Sequence, residues 1–242
     1  MSARFEELDW RETPMGAISL RRRWEPTIGV DIFEAKLDED FLMSSLFVVA
    51  EVELARLGLA AVAGSVEDGS LDVLVGGLGL GYTAVTVLEE PRVASLVVVE
   101  ALPEVVGWHE RGLLPVSAGL TSDNRCRLVT GDFFATVGAG LPLEDADPGQ
   151  RYDAVLVDID HSPRHVLHPS HAAFYSVEGL TRVRARLKPG GVFALWSDDP
   201  PDVEFQQVLD VVFASVTAQV VEFDNHLTGG TSANTVYVAR TR

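Results

Sequence analysis

A cluster of glycines marks the first place where this chain could do chemistry. The segment LDVLVGGLGLGY, residues 71–82, passes from a strand-like apolar run into Gly76, Gly77, Gly79 and Gly81. Glycine at a strand-to-helix turn permits positive φ angles and lets a ligand lie directly against the backbone. The helix expected at 82–90 then directs its N-terminus at that ligand. The four glycines are therefore candidate ligand-binding residues.

An acidic residue stands at the end of the next strand-like run. Glu100 closes the run 95–99 and comes nineteen residues after Gly81. A carboxylate in this position can accept hydrogen bonds from both hydroxyls of a ribose. Together the glycine turn, the following helix and Glu100 predict nucleoside binding. The alternative is a tight turn that only packs a helix on a strand.

Strand and helix patterns alternate through most of the chain. The predicted strands lie near residues 72–77, 95–100, 126–130, 153–158, 191–196, 215–223 and 234–240. The predicted helices lie at 41–63, 82–90, 102–112, 172–187 and 202–213. This alternation predicts an α/β fold with a doubly wound, seven-stranded, mostly parallel sheet, in which the last two strands form an antiparallel hairpin.

The N-terminal part has a different pattern. Two β-like runs, 15–20 and 30–37, predict a small β-hairpin unit over residues 1–45, ahead of a Rossmann-type domain at 46–242. A lone hairpin is marginal in water, so it must pack on the domain or on a second subunit, and a homodimer is one arrangement that achieves this. The polar stretch 138–150 predicts a surface loop.

Composition limits the classes of partner. The formal net charge is −17, which argues against nucleic acid and would attract a cationic substrate such as a polyamine, although solubility alone explains it equally well. No apolar run approaches the roughly 20 residues of a membrane span. The first residues lack the pattern of a signal peptide, so we expect a soluble, cytoplasmic protein without a membrane partner. The single cysteine, Cys126, excludes an internal disulfide and a cysteine metal cluster.

Polar residues follow several of the predicted strands. A doubly wound sheet binds ligands past the carboxyl ends of its strands, where the strand order reverses. Besides the glycine turn and Glu100, this rule points to Gly131-Asp132, to residues 158–162 and to residues 197–199. We expect these side chains to meet at one edge of the sheet.

A series of motifs in this order resembles a known family. The segments GGLGLG, VVVE, TGDFF, YDAVLVDIDHSP, HAAFY and LKPGGVFALWS resemble the class I S-adenosylmethionine-dependent methyltransferase fold and, within it, the spermidine synthase-like family. The resemblance covers nearly the whole chain. It implies that the glycine turn lines the methionine-derived part of S-adenosylmethionine or its decarboxylated form. It also implies that Glu100 holds the ribose and that Gly131 and Asp132 meet the adenine.

The resemblance also implies catalytic residues and an amine or polyamine acceptor. Alkyl transfer from a sulfonium is an in-line displacement, so the protein must align the reactants and supply a neutral nucleophile. Asp158 matches the acid that in aminopropyltransferases helps orient and deprotonate the attacking amine. His161 stands where the family has its second acid, and Asp160 is adjacent. We take Asp158, Asp160 and His161 as candidate catalytic residues.

One family feature is absent from the glycine turn. Gly79, or Leu80 if the alignment shifts by one residue, stands where the family has an aspartate that can hold the aminopropyl amine and repel the carboxylate of ordinary S-adenosylmethionine. Aminopropyl transfer and methyl transfer are therefore both open. Two further alternatives are a metal-assisted O-methyltransferase that uses Asp158 with Asp198-Asp199, and a non-catalytic member that binds a nucleoside.

Four histidines follow the fourth predicted strand. His161, His165, His168 and His171 lie within eleven residues, but their spacing matches no tetrahedral metal pattern. We predict no metal here and expect a polar loop that lines the acceptor pocket, with His161 nearest the strand end.

Overall fold

The computed structural model describes residues 5–62, 70–139 and 150–242 of the chain. Within these ranges it forms a small antiparallel sheet followed by a larger, mostly parallel sheet with helices on both faces. This confirms the α/β fold class predicted from the sequence. Most of the predicted surface loop at 138–150 falls outside the described residues.

The N-terminal unit is larger than the hairpin that the sequence predicted. Its described strands pair antiparallel in chain order and are β1 (Phe5–Thr13), β2 (Gly16–Glu25), β3 (Val30–Leu37) and β4 (Asp40–Ser44). Strands β2 and β3 were predicted, whereas β1 and β4 were missed. The two added strands widen the face on which Ile18 and Leu20 are fully buried. The division of the chain at residue 45 stays a prediction.

The helix predicted at 41–63 is wrong in its first part. The backbone of β4 pairs with β3, with Phe41 opposite Lys36, and these interstrand hydrogen bonds hold the segment extended. Helix α1 begins at Val49 and ends at Ala60. A short apolar run can fit the periodicity of a helix or of a strand, and here the available partner strand makes it a strand.

The larger sheet follows the predicted order of strands. Its described strands are β5 (Leu71–Gly76), β6 (Val93–Glu100), β7 (Cys126–Thr130), β8 (Tyr152–Val157), β9 (Leu187–Ser197), β10 (Ser215–Asn225) and β11 (Gly230–Arg240). Their spatial order is β10-β11-β9-β8-β5-β6-β7. Strands β5 to β9 are parallel to one another, and β11 runs antiparallel to both of its neighbours, β9 and β10.

Helices cover both faces of this sheet. They are α2 (Tyr82–Leu88), α3 (Pro103–Glu110), α4 (Ser117–Thr121), α5 (Phe133–Ala139), a 3₁₀ helix (Pro169–Tyr175), α6 (Val177–Ala185) and α7 (Val203–Val212). Alternate residues of β5 enter different cores: Val73 and Val75 face the core that contains α1, whereas Leu74 faces the core that contains α6. Both faces of the central strand are buried, as a doubly wound sheet requires.

The strand order locates the reversal point. The chain moves from β5 outward to β7 and then returns to β8, on the other side of β5. Gly76 and Val157, the last residues of β5 and β8, lie opposite one another in the parallel register. Ligands of doubly wound sheets bind beyond such a pair of strand ends. No described helix is both long and apolar enough to cross a membrane.

A carboxylate ties the small sheet to the large one. Asp9 of β1 accepts a hydrogen bond from the indole Nε1 of Trp108 at 2.9 Å and pairs with Arg111. Trp108 is fully buried in α3. The N-terminal sheet is therefore fixed beside the helix that follows Glu100.

Candidate active site

The glycine turn passes directly over the end of β8. Gly77 has a φ of 91°, and a Cβ added to it would lie 2.0 Å from the carbonyl oxygen of Asp158. The amide of Asp158 in turn donates to the carbonyl of Gly76 at 2.8 Å. Only a residue without a side chain allows this approach. The turn and Asp158 are thus held together by backbone contacts.

Two of the glycines make room for rings of the protein itself. A Cβ on Gly76 would lie 2.7 Å from the ring of Phe133, and one on Gly81 would lie 2.7 Å from Cε1 of His109. Packing therefore explains Gly76 and Gly81 in this structure. The part of the turn left for a ligand is the backbone of residues 77–80.

The side chain of Glu100 accepts hydrogen bonds from the glycine turn. Its Oε2 accepts from the amides of Leu78 at 3.0 Å and Gly79 at 3.5 Å, and its Oε1 accepts from the amide of Leu102 at 2.9 Å. Burial raises the pKa of Glu100, against these hydrogen bonds, which lower it. A carboxylate has about four acceptor positions, and backbone amides already take at least three of those on Glu100. Ribose hydroxyls at this edge would share the carboxylate with the backbone.

Gly131 and Asp132 lie at the neighbouring strand end. The amide of Gly131 donates to the carbonyl of Glu100 at 2.8 Å. Asp132 is exposed, and its Oδ1 accepts from the amide of Ala135 at 2.9 Å, in the first turn of α5. Both residues therefore border the same edge of the sheet as Glu100.

Asp158 lies where the candidate base was predicted. Its Oδ2 accepts a hydrogen bond from the hydroxyl of Thr83, in the first turn of α2, at 2.8 Å. Burial raises the pKa of Asp158, and the Thr83 bond opposes that shift. The residue as a whole is half-buried. A carboxylate with a raised pKa is a better proton acceptor than an ordinary aspartate.

A second acidic residue near Asp158 is Glu51, which no sequence motif indicated: the Thr83 hydroxyl that donates to Asp158 lies 3.3 Å from the backbone carbonyl oxygen of Glu51. Glu51 stands in the first turn of α1 and is partly buried. Burial, and after it the charge of Asp158, raise the pKa of Glu51. The available signal was an acid within the otherwise apolar start of α1, but the sequence does not show which strand end that turn approaches.

Asp160 has a different environment from Asp158. Its side chain is fully buried, and it accepts hydrogen bonds from the Leu167 amide at 2.7 Å, His171 Nδ1 at 2.9 Å and the Tyr175 hydroxyl at 2.8 Å. These three partners fix the loop after β8. We therefore assign Asp160 to holding that loop and leave it out of the catalytic proposal. His161, by contrast, is exposed.

The remaining polar residues of this edge are paired with one another. His165 Nδ1 contacts Asp199 at 2.9 Å, and Asp198 accepts from the side-chain amide of Asn234 at 2.7 Å. Among the described residues, no group of three or more histidine, cysteine, aspartate and glutamate side chains could hold a metal ion. Nothing in this geometry favours the metal-assisted alternative.

His109 is a further residue of the site that the sequence analysis did not single out. It is fully buried in α3, and its Nε2 lies 3.0 Å from the carbonyl oxygen of Gly79. A carbonyl can only accept, so Nε2 carries the proton. Burial lowers the pKa of His109, which keeps the ring neutral. His109 thus holds the glycine turn from behind.

Comparison with known proteins places this geometry in context. No protein-family model matches the chain. The chain superposes on the crystal structure of spermidine synthase from Thermotoga maritima with a TM-score of 0.72, at 16% identity, over 98% of this chain and 73% of that one. The chain has the spermidine synthase fold. A spermidine synthase in complex with the transition-state analogue AdoDATO superposes with a TM-score of 0.73, at 16% identity, over 98% of this chain and 74% of that one.

A curated relative agrees with the spermidine synthase fold. The polyamine aminopropyltransferase of Corynebacterium efficiens is 31% identical over 163 residues, which are 66% of this chain and 29% of the relative. The chain thus matches less than a third of that protein's length. The resemblance inferred from the motifs is confirmed.

Proposed function

We propose that this protein transfers an aminopropyl group from decarboxylated S-adenosylmethionine to a small amine or polyamine acceptor in the cytoplasm. The observation that carries the proposal is the convergence of the turn 77–80, Glu100 and Asp158 at the reversal point of a spermidine synthase fold. The likeness to a polyamine aminopropyltransferase supports aminopropyl over methyl transfer.

Different residues at this edge of the sheet bind different parts of the donor. Glu100, the acid at the end of β6, is assigned to the ribose hydroxyls, and Asp132 to the amino group of adenine. The backbone of 77–80 then lies along the aliphatic chain that carries the sulfonium. This arrangement brings the reacting carbon towards Asp158.

Asp158 would supply the proton chemistry. An alkyl amine has a pKa near about 10.4, so it reaches the site mostly protonated. Asp158 attracts the ammonium and takes one proton, which frees the nitrogen lone pair. The nitrogen then forms a bond to the carbon next to the sulfonium, the carbon–sulfur bond breaks, and its electron pair neutralises the sulfur. Proton transfer of this kind contributes about 10²- to 10⁴-fold to a rate.

The direct test combines product analysis with donor binding. The purified protein is incubated with a panel of linear diamines and triamines and, in separate reactions, with decarboxylated S-adenosylmethionine or S-adenosylmethionine, and products are read by mass spectrometry. We expect an acceptor that gains one aminopropyl unit. An acceptor that gains a methyl group from S-adenosylmethionine would show methyl transfer instead. Failure to bind either donor or 5′-methylthioadenosine, the thionucleoside part of both donors, would overturn the proposal.

A variant pair tests the role of Glu100. Glu100→Gln removes the charge that accepts the ribose hydroxyls, and we expect about tenfold weaker binding of 5′-methylthioadenosine by calorimetry, since hydrogen bonds to charged groups contribute about 1.5–3 kcal/mol. The control is Glu110→Gln, an exposed glutamate of α3. Equal affinities in the two variants would contradict the assignment.

A further inference from the structure

Two acidic residues from distant parts of the chain, Glu51 and Asp158, both contact Thr83 at the start of α2. The hydroxyl of Thr83 lies 2.8 Å from Oδ2 of Asp158 and 3.3 Å from the backbone carbonyl oxygen of Glu51. Thr83 therefore lies between the first turn of α1 and the end of β8. Tyr82 lies on the same side, and the charge of Glu51 contributes to raising the pKa of its hydroxyl. The first turn of α1, the start of α2 and the end of β8 therefore lie close together.

No described cation balances this pair. The pKa of Glu51 is set by burial, the charge of Asp158 and a backbone hydrogen bond, and the pKa of Asp158 by burial and the Thr83 hydroxyl. From α2, the facing groups are Thr83 and the phenol of Tyr82, which is not cationic. Two carboxyls held together without a cation are costly when both are charged. A ligand ammonium would remove that cost.

The glycine turn offers no acid of its own. Residues 76–81 read GGLGLG, and a Cβ on Gly79 would already lie 3.2 Å from Sδ of Met43 in β4. The space beside the turn is therefore partly filled by the N-terminal sheet. Any anionic contact to the chain of a donor that lies along 77–80 has to come from another element.

We propose that Glu51, together with Asp158, binds the terminal ammonium of the donor's aminopropyl chain and so selects the decarboxylated donor. The selection has an attractive and a repulsive part. The paired carboxylates attract the ammonium, and they repel the additional carboxylate that ordinary S-adenosylmethionine carries on the same carbon. Glu51 is then a specificity-determining residue that α1 contributes. This inference rests on the proposed function, because it assigns one end of the same donor.

Calorimetry with three ligands tests it. The ligands are 5′-methylthioadenosine, which has no alkyl ammonium, decarboxylated S-adenosylmethionine and S-adenosylmethionine. For Glu51→Gln we expect at least about tenfold weaker binding of the decarboxylated donor, binding of 5′-methylthioadenosine within about twofold of the wild type, and S-adenosylmethionine binding that is unchanged or tighter. Glu51→Asp, which keeps the charge, should restore part of the preference.

The matched control lies on the same helix. Glu53→Gln removes an equal charge two residues along, where Glu53 pairs with Arg56 at 3.2 Å, and it should leave all three affinities unchanged. Equal weakening of all ligands by Glu51→Gln would mean a structural role and would overturn the inference. So would an unchanged preference between the two donors. If wild-type protein fails to bind 5′-methylthioadenosine, the proposed function itself fails, and the inference fails with it.

Discussion

The missing Cβ of Gly77 and the carbonyl oxygen of Asp158 would be only 2.0 Å apart. The turn after β5 and the acid after β8 are therefore positioned by backbone packing. Because Gly77 also has a φ of 91°, the contact requires glycine for two separate reasons. A change at this position should disturb the turn and the acid together.

Gly77→Ala should destabilise the protein by at least about 2 kcal/mol, because left-handed backbone costs an alanine about 1–2 kcal/mol and the carbonyl must also move. Urea unfolding followed by circular dichroism measures the change. The control is Gly107→Ala in α3, where no described atom lies within 4 Å of an added Cβ and alanine favours the helix. Similar unfolding free energies for the two variants would show that the turn relaxes freely.

Asp158→Asn should lower kcat by about 10²- to 10⁴-fold, because the amide cannot take a proton from the acceptor amine. Binding of 5′-methylthioadenosine should stay close to that of the wild type, since this ligand has no alkyl ammonium to pair with Asp158. Steady-state kinetics and calorimetry separate the two effects. Asp210→Asn, at an exposed position of α7, is the control. Full turnover by Asp158→Asn would exclude it as the base.

The pH profile gives a second view of Asp158. Burial raises its pKa above the ordinary value of 3.8, and the base is active only when it is ionised. The rate should therefore fall as the pH drops through this raised pKa, at a higher pH than an ordinary aspartate would cause. The value of kcat/KM for the donor, measured across the acidic range, reports the position of this limb for the free enzyme. A rate that stays constant down to the ordinary pKa of aspartate would contradict the assignment.

Asp160→Asn should affect stability before it affects chemistry. One carboxylate accepts from Leu167, His171 and Tyr175, and an amide offers a single acceptor oxygen to three donors. We expect a loss of about 2–4 kcal/mol in the free energy of unfolding, since buried donors lose charged partners. Urea denaturation of this variant beside Asp210→Asn measures it. A catalytic loss at unchanged stability would return Asp160 to the list of catalytic residues.

His109, which donates a hydrogen bond to the glycine turn, should make the stability of the protein depend on pH. Its buried ring is neutral and donates to Gly79, and burial lowers its pKa below 6.5. The unfolded state then binds a proton that the folded state does not, so stability present above pH 6.5 is lost as the pH falls through the folded pKa. His109→Gln, which donates but does not titrate, should show a flatter dependence of unfolding free energy on pH. Parallel curves for the two proteins would contradict this.

Local patterns carried most of the architecture. Apolar runs bounded by glycine or polar residues predicted the larger sheet, because a strand buried on both faces is hydrophobic along its length. The position of the site followed from the same patterns, since the carboxyl ends of parallel strands meet at one edge. Gly77, Glu100 and Asp158 could therefore be selected from the sequence alone.

What the sequence determined by itself is thus the order of strands and helices and the strand ends at which polar residues gather, because both depend on neighbours within a few positions. Only the tertiary structure decided which of those residues face one another. Glu51 and Asp158 are more than a hundred positions apart, yet Thr83 lies between them. Asp160, two residues from Asp158, is instead fully buried by its own loop. Such contacts between remote segments depend on how helices pack on the sheet, and no local pattern encodes them.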